Sequence, residues 1–229
     1  MTTPVAASER HEPAFNSPWP VLLLIAAVLL SHVLSNLGYI HKERLILFEH
    51  DLNQGRWIGL IGHMFAHQGW LHAAMNCAFI LAFGTPVARY LGVGVRGACI
   101  FLLFFLTCGV LAALAYAGAL GLLPRGMGFP GEWGLLGASG AASGLMGGAI
   151  RLVSGSGLPG PLGSRSVVRM TLSWIVLNTV MGLSGLTPGA VGIPVAWQAH
   201  IFGYLAGVML IAPFGVLAGA PRAAPNEMA

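Results

Sequence analysis

Charge is what this sequence has least of. Its 229 residues include only 11 Lys and Arg and 7 Asp and Glu, 8% in all, against 56% hydrophobic residues and a mean hydropathy of +0.78. A water-soluble domain of this size needs far more charge on its surface, so the chain is expected to be a polytopic membrane protein. The net charge of +4 and the pI near 9.3 do not point to nucleic acid. The basic residues stand singly between apolar runs, with no cluster or basic stripe, and they read as topology signals. Cysteine is scarce too. Cys77, Cys99 and Cys108 are odd in number, fall inside apolar segments and lack the paired spacing of a metal or disulfide framework, so they read as buried free thiols. No internal repeat of about 20–50 residues is evident, which gives nothing to a solenoid or an inverted-repeat transporter.

What is present is a series of uncharged runs. Residues 1–17 are polar, with Glu9 and Glu12 beside Arg10, which fits neither a secretory signal nor a transit peptide; a short disordered cytoplasmic tail is expected. Pro18 to about Gly38 carries no charge and has the roughly 20 residues needed to cross a hydrocarbon core. His41 to Arg56 mixes Lys42, Glu43, Arg44, Glu49 and Asp51 with Leu45, Ile46, Leu47 and Phe48, the pattern of an interfacial amphipathic piece. His63, His67 and His72 follow in an otherwise apolar stretch, placing the start of the second span near Trp70 and leaving a partly buried loop before it. A third span closes at Pro124-Arg125-Gly126, and a fourth is short and glycine-rich. The uncharged stretch from Met170 to Pro221 is too long for one crossing, and Pro188, Gly189, Gly192 and Pro194 divide it. The expectation is an all-α membrane protein with a six-helix core over residues 18–219. Its spans lie near 18–38, 70–90, 97–120, 134–152, 168–187 and 195–218, and a second cytoplasmic tail covers 220–229.

Six crossings place both termini on one side. Arg10, Arg89, Arg96, Arg151, Arg165, Arg169 and Arg222 then lie on the terminal side, and Lys42, Arg44, Arg56 and Arg125 on the other. The excess of basic residues predicts cytoplasmic termini. In this topology Ser139, near the start of span four, His200, near the start of span six, and His72 and Asn76, opening span two, all lie at a similar shallow depth below the outer face. Polar residues in a membrane are costly and are functional or paired, and here three separate helices bring four of them to one level. Trp57, Trp70, Trp133 and Trp197 read as an interfacial aromatic belt and Trp174 as packing.

The spans also lack acid. Every Asp and Glu (Glu9, Glu12, Glu43, Glu49, Asp51, Glu132 and Glu227) lies in a tail or loop, which excludes an Asp or Glu from orienting a histidine inside the membrane. What remains is a dyad, with Ser139 as nucleophile, His200 as general base and the imidazole steered by helix packing. The Ser139 backbone N–H, the Asn76 amide and the His72 ring are the candidate oxyanion donors. Gly137 and Gly140 uncover the serine on both sides. Gly203 and Gly207 form a small-xxx-small pattern that lets span six lie against span four. Taken alone, Ser139 and Ser143 read as small packing residues, and only the company of His200, His72 and Asn76 changes that for Ser139. A zinc site on His63, His67 and His72 is the metalloprotease alternative, but Met64 stands where that motif needs Glu. These rings read instead as partners for backbone groups of the loop.

Gly137-Ala138-Ser139-Gly140, His72-Ala73-Ala74-Met75-Asn76, Ala199-His200 followed by Gly203 and Gly207, and the upstream His63 and His67 together resemble the rhomboid family of intramembrane serine proteases. The resemblance implies a six-helix rhomboid-like bundle with a membrane-embedded first loop over Tyr39–Gly69. It implies cleavage of transmembrane protein substrates near their outer ends by Ser139 and His200, with His72 and Asn76 on the oxyanion. It also implies a substrate gate formed by span five and the Thr187–Val195 loop. Two positions depart from the family pattern: Phe202 stands where a small residue is usual, and Ser143 where an aromatic often supports the histidine. Arg56-Trp57 reverses the order of a common first-loop pair. The partners implied are transmembrane substrates and the lipid bilayer, most simply a bacterial plasma membrane, with no nucleic acid, cofactor or metal. A catalytically idle binder of transmembrane helices, or a small transporter, is the alternative function. The first predicts loss of Ser or His, and the second predicts acid along a pore.

Overall fold

The computed structural model describes residues 16–122, 133–185 and 195–221. The turn at 124–126 and most of both tails and of the 187–195 loop therefore lie outside the described residues. The elements run α1 (Trp19–Asn36), a 3-10 turn (Lys42–Arg44), β1 (Leu47–Phe48), α2 (Glu49–Asn53), α3 (Gly59–Gly62), a second 3-10 turn (His63–Phe65), α4 (Trp70–Leu91) and α5 (Val95–Leu122). They continue with β2 (Gly134–Leu135), α6 (Ser139–Ser154), α7 (Arg165–Ser184) and α8 (Trp197–Ala218). Among the described residues five helices, α1, α4, α5, α7 and α8, are long and apolar enough to cross a membrane. The expected fourth span is α6, at 16 residues shorter than those five.

α6 sits at the centre. It packs most extensively on α8 and also against α4, α5 and α7, and every residue from Gly140 to Ala149 is buried. Its composition is the reason, since Gly, Ala and Ser let neighbouring backbones approach where larger residues would hold them apart. A Cβ on Gly203 would collide with the Gly140 carbonyl, and one on Gly207 with the Gly144 carbonyl. On the other side Phe101, Phe104 and Phe105 of α5 join Ile80 and Val87 of α4 and Val21, Leu24 and Val28 of α1 in the main apolar cluster. α7 is peripheral by contrast, and its only buried residues are Val167 and Asn178.

Of the three cysteines expected to be buried, Cys108 is buried, Cys77 half-buried and Cys99 exposed, and three further features differ from the sequence reading. The chain is not wholly helical: β1 pairs antiparallel with β2, Leu47 opposite Leu135 and Phe48 opposite Gly134. A loop that packs against α1 and α5 must find partners for its backbone polar groups, and this short ladder supplies some of them. α6 begins at Ser139, not near residue 134, because β2 occupies that stretch and Gly137 follows with φ +107°, outside helical space. Trp133, expected in an interfacial belt, is buried edge-on against Tyr116 at 5.3 Å, where its large apolar surface finds a partner. Trp57 and Trp70 are exposed.

The first loop is held by its own charges and by glycines. Asp51 accepts from the Phe48 backbone N–H at 3.2 Å and from Arg56 Nε at 2.7 Å. Gly59 and Gly62 lie directly against Leu47 and Leu45. Ser31 of α1 donates to the Phe65 carbonyl at 3.0 Å.

Candidate active site

Ser139 is the first residue of α6 and His200 lies in the first turn of α8. The close α6–α8 contact brings the two termini together, leaving His200 Nε2 2.8 Å from Ser139 Oγ. The other ring nitrogen, Nδ1, lies 2.9 Å from the Asn178 side-chain oxygen, Oδ1. The Asn178 amide nitrogen donates to the Trp174 carbonyl at 2.9 Å, so the oxygen faces the histidine. A carbonyl oxygen only accepts; His200 Nδ1 therefore carries the proton, and Nε2 is left to accept from the Ser139 hydroxyl. This is the tautomer a general base requires.

Asn178 is the polar partner that the sequence reading missed when it left the histidine to helix packing alone. A signal was present. Asn178 is a side-chain amide in the interior of an apolar span, six residues from the end of α7 at Ser184, and such a residue is costly unless paired.

The expected oxyanion residues lie across the same space. Asn76 Nδ2 donates to the His72 carbonyl at 3.0 Å, which uses one amide hydrogen and leaves the other. Gly137 closes on both residues: a Cβ there would lie 2.8 Å from His72 Cε1 and Nε2 and 3.8 Å from Asn76 Nδ2. Its φ of +107° also favours glycine. The Gly137 N–H donates to the His63 carbonyl at 2.8 Å, tying the first loop to the turn that presents Ser139. At the start of α6 the Ser139 N–H has no acceptor within its own helix, and the helix dipole favours negative charge there. Ser139, His200, His72, Asn76, Gly137 and Gly140 line one cavity of about 220 Å³, whose other walls include Met75, Phe79, Met181 and Val195.

The remaining singled-out residues divide. His63 donates from Nδ1 to the Gly59 carbonyl at 2.8 Å, as a loop-satisfying ring should, and burial pushes its imidazole down to about 4, so it is neutral. His67 finds no hydrogen-bond partner among the described residues and packs edge-on against His72, with ring centroids 5.2 Å apart. Among the described residues no group of three His, Cys, Asp or Glu is arranged to hold a metal ion. Ser143 spends its hydroxyl on the Ser139 carbonyl at 2.8 Å. Phe202 is half-buried and does not keep Gly203 from Gly140. Trp174 packs beside Phe79 and Tyr204 and donates to the His200 carbonyl at 3.4 Å.

The geometry joins an accepting imidazole nitrogen, a hydroxyl and a set of N–H donors around a space large enough for a peptide group. That set is suited to acyl transfer. A family model described as Rhomboid domain matches residues 54–216, which takes in every one of these side chains. No curated protein matches the sequence.

Proposed function

The chain belongs to the rhomboid family, a family of intramembrane proteases, and within it we propose that this protein is an active serine endopeptidase that cuts transmembrane protein substrates near the outer membrane face. The observation that carries the reading is the 2.8 Å approach of His200 Nε2 to Ser139 Oγ inside the cavity. Ser139 Oγ attacks the scissile carbonyl carbon as its proton passes to His200 Nε2. The oxyanion that forms is met by the Ser139 N–H, the His72 ring and the Asn76 amide. Collapse breaks the C–N bond, with His200 returning the proton to the leaving amine. Water then repeats the sequence on the acyl-enzyme and frees Ser139.

The test is covalent. A fluorophosphonate, which reacts only with an activated hydroxyl, is expected to label the detergent-solubilised chain at Ser139. Labelling at Ser143, or none at all, would overturn the reading in favour of a misplaced nucleophile or an idle binder.

We further propose six crossings with cytoplasmic termini, on the distribution of basic residues, in a plasma membrane that is most simply bacterial. A reporter that is active only in the cytoplasm, fused after Ala229, is expected to be active. An inactive cytoplasmic reporter, together with an active periplasmic one, would reverse the orientation.

A further inference from the structure

Resting on the reading of Ser139 and His200 as nucleophile and base, we propose that Asn178 is a positioning residue that fixes the His200 tautomer from α7. Asn178 is 4% exposed, and with Val167 it is one of only two buried residues on α7. A buried amide on an otherwise peripheral helix is costly unless both of its ends are used. Both are: Nδ2 donates to Trp174 of its own helix and Oδ1 accepts from His200.

The pairing does two things for the reaction. Before attack it holds the proton on Nδ1, so that the nitrogen facing Ser139 is the one able to accept. During attack the ring becomes an imidazolium, and the Nδ1–H···Oδ1 bond strengthens as positive charge builds on its donor. A neutral amide can do this without burying a carboxylate, which fits spans that contain no acid. Because the partner sits on α7, the base is aligned only while α7 is seated on α8. That seat is made by Trp174 donating to the His200 carbonyl, by Thr171 meeting the Tyr204 hydroxyl at 3.3 Å, and by Asn178 itself. The helix contributes to the chemistry as well as to the wall of the cavity.

The experiment has one arm that does not use activity. In the detergent-solubilised chain labelled with ¹⁵N-histidine, the His200 ring signals, assigned by their disappearance in His200→Gln, are expected to show protonated Nδ1 and unprotonated Nε2. In Asn178→Leu, similar in volume but with no acceptor, the two nitrogens are expected to move toward an averaged pair. In reconstituted vesicles Asn178→Leu is expected to lower kcat by about 10- to 100-fold, the worth of one hydrogen bond to a charged group, with KM nearly unchanged. Asn178→Asp, which restores an acceptor, should recover part of that loss. A native ring protonated on Nε2, or a kcat unaffected by Asn178→Leu, would overturn the proposal. Failure of Ser139 to label, with the Nδ1–H tautomer intact, would instead overturn the catalytic reading on which it rests.

Discussion

In vesicles reconstituted with a transmembrane substrate, Ser139→Ala and His200→Ala are each expected to reduce cleavage by at least about 10⁴-fold, and the double variant to be no worse than either alone. On the proposed mechanism the single and double losses coincide because the two groups act as one unit: a hydroxyl without its base, or a base without its hydroxyl, supplies neither attack nor proton return. The 2.8 Å contact between them is the physical basis of that non-additivity. Removing an oxyanion donor is milder. His72→Ala and Asn76→Ala are each expected to cost up to about 100-fold, since one donor among several is lost while nucleophile and base remain. Ser143→Ala should leave turnover nearly intact, because that hydroxyl is already bonded to the Ser139 carbonyl. Cleavage that survives both dyad substitutions, or that vanishes only in Ser143→Ala, would end the assignment.

Ser139, His200, His72 and Asn76 are expected at one level from the order of the spans, and the structure lines one cavity with all four. Helix lengths read from uncharged runs landed within a few residues of α1, α4, α5, α7 and α8, because an apolar span has few ways to satisfy its backbone. The sequence did not reveal features set by single tertiary contacts. A two-residue strand has no period to detect, so the pairing of Leu47–Phe48 with Gly134–Leu135 was invisible, and with it the late start of α6. Trp133 looked interfacial because Trp usually is, and only its seat against Tyr116 shows otherwise. Asn178 was legible in principle. A side-chain amide in a span needs a partner, and the structure supplies it in the His200 ring.

Gly207→Ala and Gly203→Ala are expected to lower the unfolding midpoint sharply and to abolish fluorophosphonate labelling together with the fold. A Cβ at Gly207 would collide with the Gly144 carbonyl and one at Gly203 with the Gly140 carbonyl. The obstacle is backbone in both cases, so no flexible side chain can swing aside. α6 is buried from Gly140 to Ala149 and has no room to retreat, so relief would require α8 to lift away. The cost should reach or exceed the upper end of the about 1–3 kcal/mol typical of overpacking. Gly118→Ala, on α5 with nothing within 4 Å of an added Cβ, is the control: the midpoint should hold or rise, since Ala is the better helix former by up to about 1 kcal/mol. The same geometry links stability to chemistry. His200 lies one helical turn before Gly203, and Ser139 is adjacent to Gly140, so even a small separation at the glycine contact widens the gap between base and nucleophile. A partly tolerated substitution at Gly203 should therefore lose labelling before it loses the fold. A Gly203→Ala chain with native midpoint and native labelling would mean that α6 and α8 are not in the contact described.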